Sequence, residues 1–270
     1  MSRLELDLWW EPRDPAQADD ARRLALFVNG LPDFDPIYRS WLRSPKTKKE
    51  TVPVPLGEAV AKQLLIDNLG RYDVPPDPWP ELGSHIWGGH AGPPPYDFRK
   101  SSYSDTTCAI GAFGPSAAVN PNHVFMRLSD MRPSTGRPWR ASELRPLMKF
   151  AREVWNPAEM CAMFSFYGLD LPSIPDLSPN GLRLAESLRL QPHIVEPKEI
   201  TRILEPRIGW ITYLSPDLAA RAKYPADVEV ETLDDGAALV TLCEEPFGKS
   251  DAAGLARLHA LEAALRPIQS

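Results

Sequence analysis

The stretch Val228–Cys243 reads VEVETLDDGAALVTLC, and its reading decides the fold. Two β-rich runs, Val228–Thr232 and Ala238–Cys243, flank Asp234-Asp235-Gly236. An Asp-Gly pair between such runs is a strong hairpin signal, because the tight turn needs residues that tolerate positive φ. On the N-terminal side of this hairpin, Ile208–Leu214 (IGWITYL) reads as a further strand. On its C-terminal side, Asp251–Ile268 reads as an amphipathic helix with Leu255, Leu258, Leu261 and Leu265 on one face. Upstream, Met160–Phe166 is a short apolar run bounded by turn residues and fits a buried strand. Before it, Ser142 is placed to cap a helix whose Leu144, Leu147, Met148, Ala151, Val154 and Trp155 fall at 3.6-residue spacing, and Asn156-Pro157 ends it.

The N-terminal part opens with β. Leu4, Leu6 and Leu8 alternate with Glu5 and Asp7, the period-2 pattern of a half-buried strand. Asp14-Pro15-Ala16-Gln17 offers an N-cap, a proline at the first helical position and a capping-box glutamine. The helix it starts carries Ala21, Leu24, Phe27, Val28 and Leu31 and ends at Gly30 and Pro32. Leu56, Val60 and Leu64 mark a second helix, stopped near Gly70. Residues 71–107 are proline-rich loop around one short strand at Ser84–Trp87, and Cys108–Phe113 and Asn122–Leu128 read as neighbouring strands. A second proline-punctuated stretch, 169–206, holds short helices near Gly181–Leu190 and Pro197–Leu204. Hairpins outnumber β-helix-β alternation. The expected fold is therefore α+β: mainly antiparallel sheet packed by about four to six helices, with long Pro-rich loops. We expect one domain over residues 1–270, with loop insertions near 71–107 and 169–206.

Composition narrows the function classes. Thirty basic residues against 36 acidic ones give a net charge of −6, the wrong sign for gripping phosphates through the overall field, so direct nucleic-acid binding is not expected. No apolar run approaches the roughly 18–20 residues of a bilayer span, and the first ten residues (MSRLELDLWW) do not form a signal peptide. No membrane association is expected. Cys108, Cys161 and Cys243 are an odd number with no CxxC spacing, which fits a reducing, cytoplasmic setting. Charge is also unevenly spread. Between Asp227 and Asp251 lie eight acids and one base, Lys249. Such a stretch serves either as a solvated hairpin face or as a docking surface for a cationic protein, and the residues alone leave both open.

Catalytic constellations are sparse. Cys108, His123 and Asn120 or Asp130 contain the residue types of a thiol, a base and an orienting group, the basis of an alternative reading as a small cytosolic hydrolase or thiol enzyme. Their spacing does not require it, and a strand cysteine beside Ala109 and Ile110 ordinarily serves as a small buried hydrophobe. His85 and His90 are five apart, but no further metal-ligand pattern accompanies them, and neither a metal nor a cofactor is expected. No GxxxxGK[ST] or GxGxxG loop is present, and Lys46, Lys48 and Lys49 form one short basic cluster. Of the eight tryptophans, Trp155 and Trp210 belong to core-facing patterns. Trp9 and Trp10 are adjacent on a strand and must point to opposite faces, so one of them, beside Glu11, has the composition of an interface anchor.

A set of short motifs runs in one order along the chain. They are LDLWWEPR with DARRLALFVNGL, DFDPIYRSWL (Asp33, Asp35, Pro36, Trp41), ELGSHIW (Leu82, Gly83, Trp87), GAFG, VNPNHVFMRL (Asn122), VWNPA (Trp155, Pro157), RIGWITYL (Gly209, Trp210, Tyr213) and EEPFG (Glu244, Glu245, Pro246, Phe247). Together they resemble the bacterial polymorphic-toxin immunity protein family 52. The segments Gly88–Thr107 and Leu169–Pro206 are longer than that pattern, and inserted loops often carry partner specificity. The resemblance implies an antitoxin, not an enzyme, whose partner is a cognate toxin or effector. The commonest such partners carry a restriction-endonuclease-like nuclease domain, some delivered by type VI secretion. A nuclease must present a basic groove to its substrate, and an acidic protein can occlude that groove stoichiometrically. On that basis the expected toxin-binding residues are Glu229, Glu231, Asp234, Asp235, Glu244, Glu245 and Phe247, with Trp10 and Glu11 as a second choice. Phe247 in the core and Glu244-Glu245 as a strand cap are the competing structural roles.

Overall fold

In the computed structural model the hairpin forms where the Asp-Gly signal places it. Glu229–Thr232 and Ala238–Thr241 pair antiparallel, Gly236 takes the positive φ of 87° that the turn requires, and its N–H donates to the Leu233 carbonyl at 2.9 Å. The structure describes residues 3–10, 17–39, 41–43, 52–54, 86–91, 108–113, 122–128, 131–157, 159–165, 208–247 and 251–268. In chain order the strands are β1 (Arg3–Trp10), β2 (Trp41–Arg43), β3 (Val52–Val54), β4 (Ile86–Ala91), β5 (Cys108–Phe113), β6 (Asn122–Leu128), β7 (Met131–Arg132), β8 (Arg137–Pro138), β9 (Glu159–Ser165), β10 (Ile211–Leu214), β11 (Glu229–Thr232) and β12 (Ala238–Thr241). The α-helices among the described residues are α1 (Gln17–Gly30), α2 (Ala141–Trp155), α3 (Pro216–Arg221) and α4 (Ala252–Leu265).

Ten strands build one sheet in the order β11-β12-β10-β9-β1-β6-β5-β4-β2-β3, while β7 and β8 form a separate ribbon. Every neighbouring pair is antiparallel, so the fold is the expected α+β with an antiparallel sheet. β1 lies inside the sheet, with Leu6 opposite Met126 of β6 and Ala162 of β9. Its alternation has a direct cause: Leu4, Leu6 and Leu8 are at most 1% exposed, and each such burial contributes about 2 kcal/mol.

α1 and α2 pack together through rings. Phe27 stacks on Phe150 with centroids 5.6 Å apart and meets Trp155 edge-on at 6.1 Å, while Phe34 meets Phe150 at 5.4 Å. The Arg23 guanidinium donates to the Trp155 carbonyl at 3.1 Å, placing a cation at the negative end of α2. That end is closed by Asn156 in the left-handed region (φ 44°), as Asn-Pro foretells. β10 and β12 are buried along their whole length, and Leu261 and Leu265 of α4 join the same core.

Several details differ from the sequence reading. The strand expected at Ser84–Trp87 is described from Ile86 and continues through Gly88, Gly89 and His90 to Ala91, where pairing with β5 on one side and β2 on the other overrides the weak strand propensity of glycine. β2 and β3 were not anticipated, since three residues carry no readable period. α2 begins at Ala141, so Ser142 lies within the first turn and does not cap it; the Arg140 N–H is instead taken by the Glu143 carboxylate at 3.0 Å. The helix expected around Leu56–Leu64, the Lys46–Lys49 cluster and the short helices near 181–190 and 197–204 lie outside the described residues.

Candidate functional site

The acidic hairpin lies against α2, and the sequence reading missed the reason. Arg145, Lys149 and Arg152 are spaced at i, i+4 and i+7 between the buried positions of α2, so they form one stripe along the helix. Arg145 pairs with Glu229, Lys149 with Glu231 and Arg152 with Asp235. Glu229 and Glu231 lie opposite Thr241 and Leu239 of β12, and Leu239 lies opposite Tyr213 of β10, so the two acids share the sheet face of Tyr213. Burial works against the charge of Arg152, but Tyr213 and Asp235 together raise its affinity for the proton. Burial likewise pushes the Tyr213 phenol up, only partly offset by Arg152.

In two of the three pairs the signs are sorted by depth. Side-chain exposure is 58% for Glu229 against 18% for Arg145, and 40% for Asp235 against 23% for Arg152. At these two pairs the cation lies beneath and the carboxylate outermost, whereas between them Lys149 (39%) and Glu231 (35%) are about equally exposed. A partner approaching at Glu229 or Asp235 therefore meets negative charge first, despite the local pairing.

The Glu244–Phe247 segment does three separate things. The Glu244 carbonyl accepts the Ala141 N–H at 2.9 Å, and its carboxylate accepts from the Ser142 hydroxyl and N–H, so Glu244 closes the positive N-terminus of α2 from another part of the chain. Glu245 pairs loosely with Arg140 at 3.3 Å, both side chains being more than half exposed. Phe247 is 6% exposed and belongs to the core, the first of the two roles its sequence context allowed. Other acids of the stretch also have partners within the chain. Asp227 faces Arg257 at 3.6 Å, and Asp251 caps α4 by accepting the Ala253 and Gly254 N–H groups at 3.0 Å. Asp234, exposed at the hairpin tip, has no ion-pair or hydrogen-bond partner among the described residues.

A second polar cluster braces α2 from the opposite quarter. Asp35, 1% exposed, accepts from the Ile37 N–H at 3.0 Å, from Arg132 Nε at 3.3 Å and from the Ser134 hydroxyl. Arg132 also donates to Glu143 at 2.7 Å and to the Phe34 carbonyl at 2.6 Å, and lies 5.3 Å over the Trp139 ring. Glu143 gathers Arg132, Arg137 and the Arg140 N–H. Burial pushes its carboxyl up, but these donors outweigh burial and hold it below the usual carboxylate range. The DFDP motif is thus tied to the β7–β8 ribbon by a satisfied buried carboxylate, a structural clamp.

The remaining candidates divide. Trp10 pairs with Asn122 at the end of β1, and only its backbone is described; Glu11 lies outside the described residues. Cys108 and His123 are not brought together. Cys108 stands opposite Ala91 at one end of β5, whereas His123 stands opposite Phe113 at the other, and their registers fall on opposite faces of the sheet. Cys243 is half-buried, with its thiol pushed up by burial against the opposing pull of Arg257. Among the described residues no three His, Cys, Asp or Glu side chains are grouped to hold a metal ion, and no helix is long and apolar enough to cross a membrane. What the arrangement offers chemically is a rim of surface carboxylates braced by the cations of α2.

No protein-family model matches the chain, and no curated protein matches it. Among solved structures it is similar to a Pseudomonas aeruginosa type VI secretion system (T6SS) protein, PA0821, with a TM-score of 0.50 and 13% identity, over 98% of this chain and 73% of that one. At that identity the likeness is one of fold.

Proposed function

We propose that this chain is an immunity protein of a type VI secretion system, which binds and neutralises a cognate toxin stoichiometrically, without catalysis. The target class is a nuclease of restriction-endonuclease fold. The observation that carries the reading is the charged hairpin rim, where the Glu229 and Asp235 carboxylates lie outside the arginines that hold them and Glu231 is held by Lys149. Preset carboxylates can occupy sites that a nuclease reserves for phosphates, and they speed encounter with a basic groove. The ordered motifs that resemble the family and the fold likeness to a T6SS protein, over 98% of this chain and 73% of that one, support the same reading. A separated Cys108 and His123 give the thiol-enzyme alternative no support.

The test is coexpression with the toxin encoded by the adjoining gene in a susceptible host. Growth is restored, and the two proteins purify together at fixed stoichiometry. Unrelieved growth arrest, with this chain folded and abundant, would overturn the proposal.

A further inference from the structure

The hairpin offers more than its side chains. β11 is the last strand of the sheet, and among the described residues no strand lies beyond it. Which of its backbone groups are free follows from the ladder. The Leu233 N–H donates to the Ala237 carbonyl at 2.7 Å, so that pair is hydrogen-bonded, and antiparallel pairs alternate from there. Glu231 with Leu239 and Glu229 with Thr241 are then the bonded pairs, and Thr232 with Ala238 and Val230 with Val240 the unbonded ones. The far side of β12 agrees: the Leu242 N–H donates to the Trp210 carbonyl at 3.0 Å, which turns Val240 and Ala238 toward β10. The N–H and C=O groups of Val230 and Thr232 therefore point outward, free to template another strand.

Resting on the immunity reading above, we infer that this edge receives an extended, basic segment of the toxin as an eleventh antiparallel strand. Main-chain bonds from Val230 and Thr232 supply the docking, and the carboxylates of Glu229 and Glu231, two residues apart on one face, select lysine or arginine at alternate positions of the incoming strand, with Asp234 at the turn adding negative charge beside it. The same acids oppose a second copy of this chain. Antiparallel pairing of two β11 strands about Val230 sets Glu229 of each against Glu231 of the other, and directly opposed like charges destabilise a ladder.

The test is amide hydrogen exchange on the full chain, alone and with the catalytically inactivated toxin of the adjoining gene. In the complex, exchange at Val230 and Thr232 slows by at least about tenfold, while Glu229 and Glu231, already bonded to β12, change little. Thr232→Pro removes one outward donor and no ladder bond, so it weakens toxin binding by about tenfold or more without lowering the melting temperature. A complex that forms with unchanged exchange at both amides overturns the inference and leaves the immunity reading standing. Protection already present in the chain alone, and lost on dilution, assigns the edge to a second copy and overturns it likewise. Failure of the wild-type chain to bind the toxin at all overturns the immunity reading itself.

Discussion

Gly254 of α4 approaches the Phe247 side chain so closely that a β-carbon on Gly254 would lie 2.4 Å from Phe247 Cγ. The clash falls on the base of the side chain, and the ring is buried, so neither can give way. Gly254→Ala gains about 1 kcal/mol of helix propensity. Overpacking of about 1–3 kcal/mol outweighs it. Urea unfolding should show net destabilisation, and Phe247→Ala a larger loss of about 3–5 kcal/mol from the cavity it leaves.

The rungs between α2 and the hairpin are unequal. Arg152 serves both Tyr213 and Asp235 and is 23% exposed, whereas Lys149 is 39% exposed and serves Glu231 alone. Arg152→Ala should cost about 2 kcal/mol, in the range for hydrogen bonds to charged groups. Lys149→Ala should cost less than about 1 kcal/mol, as exposed pairs do. Equal losses in denaturant melts would show that the hairpin is not held where the ladder places it.

Acid should loosen the Glu143 cluster. The folded-state carboxyl titrates below its ordinary value of 4.5, so the stability it contributes is present above that value and is lost as pH falls through the lower, folded-state one. Stability measured between pH 6 and 3, a range set around that value, should fall more steeply in the wild type than in Glu143→Gln.

Asp234 is the clean probe of electrostatic docking, because it has no ion-pair or hydrogen-bond partner among the described residues. Asp234→Lys should slow toxin association by about threefold, weaken its dependence on salt and leave stability unchanged. Glu229→Lys should instead destabilise the fold, since it opposes Arg145 with a like charge. Stopped-flow association paired with thermal melts separates the two effects. Identical association rates for wild type and Asp234→Lys would remove the hairpin tip from the encounter.

Local signals made much of this fold legible. The Leu4-Leu6-Leu8 alternation, the α2 stripe ended by Asn156-Pro157 and the Asp-Gly turn each act through neighbours in sequence, and each stands where it was read. The ion-paired rim was only half legible. Eight acids between Asp227 and Asp251 invited a reading as free charge, yet the cations that meet Glu229, Glu231 and Asp235 sit more than 80 residues upstream. Their i, i+4, i+7 spacing on α2 was visible, but nothing local announces which strand a basic stripe will face. The Asp35 clamp escaped for the same reason, since its partners Arg132 and Ser134 come from a distant two-stranded ribbon.

β1 has a consequence for the timing of folding. Its Leu4 lies between Leu128 and Phe164, so β1 has no neighbour on either side until segments much later in the chain are in place. Assembly of the sheet is accordingly slow and late, a topology of long-range contacts closed largely after synthesis. On the proposed immunity reading, a cell would have to stockpile the folded chain in advance, because fresh translation would answer an attack only after a delay.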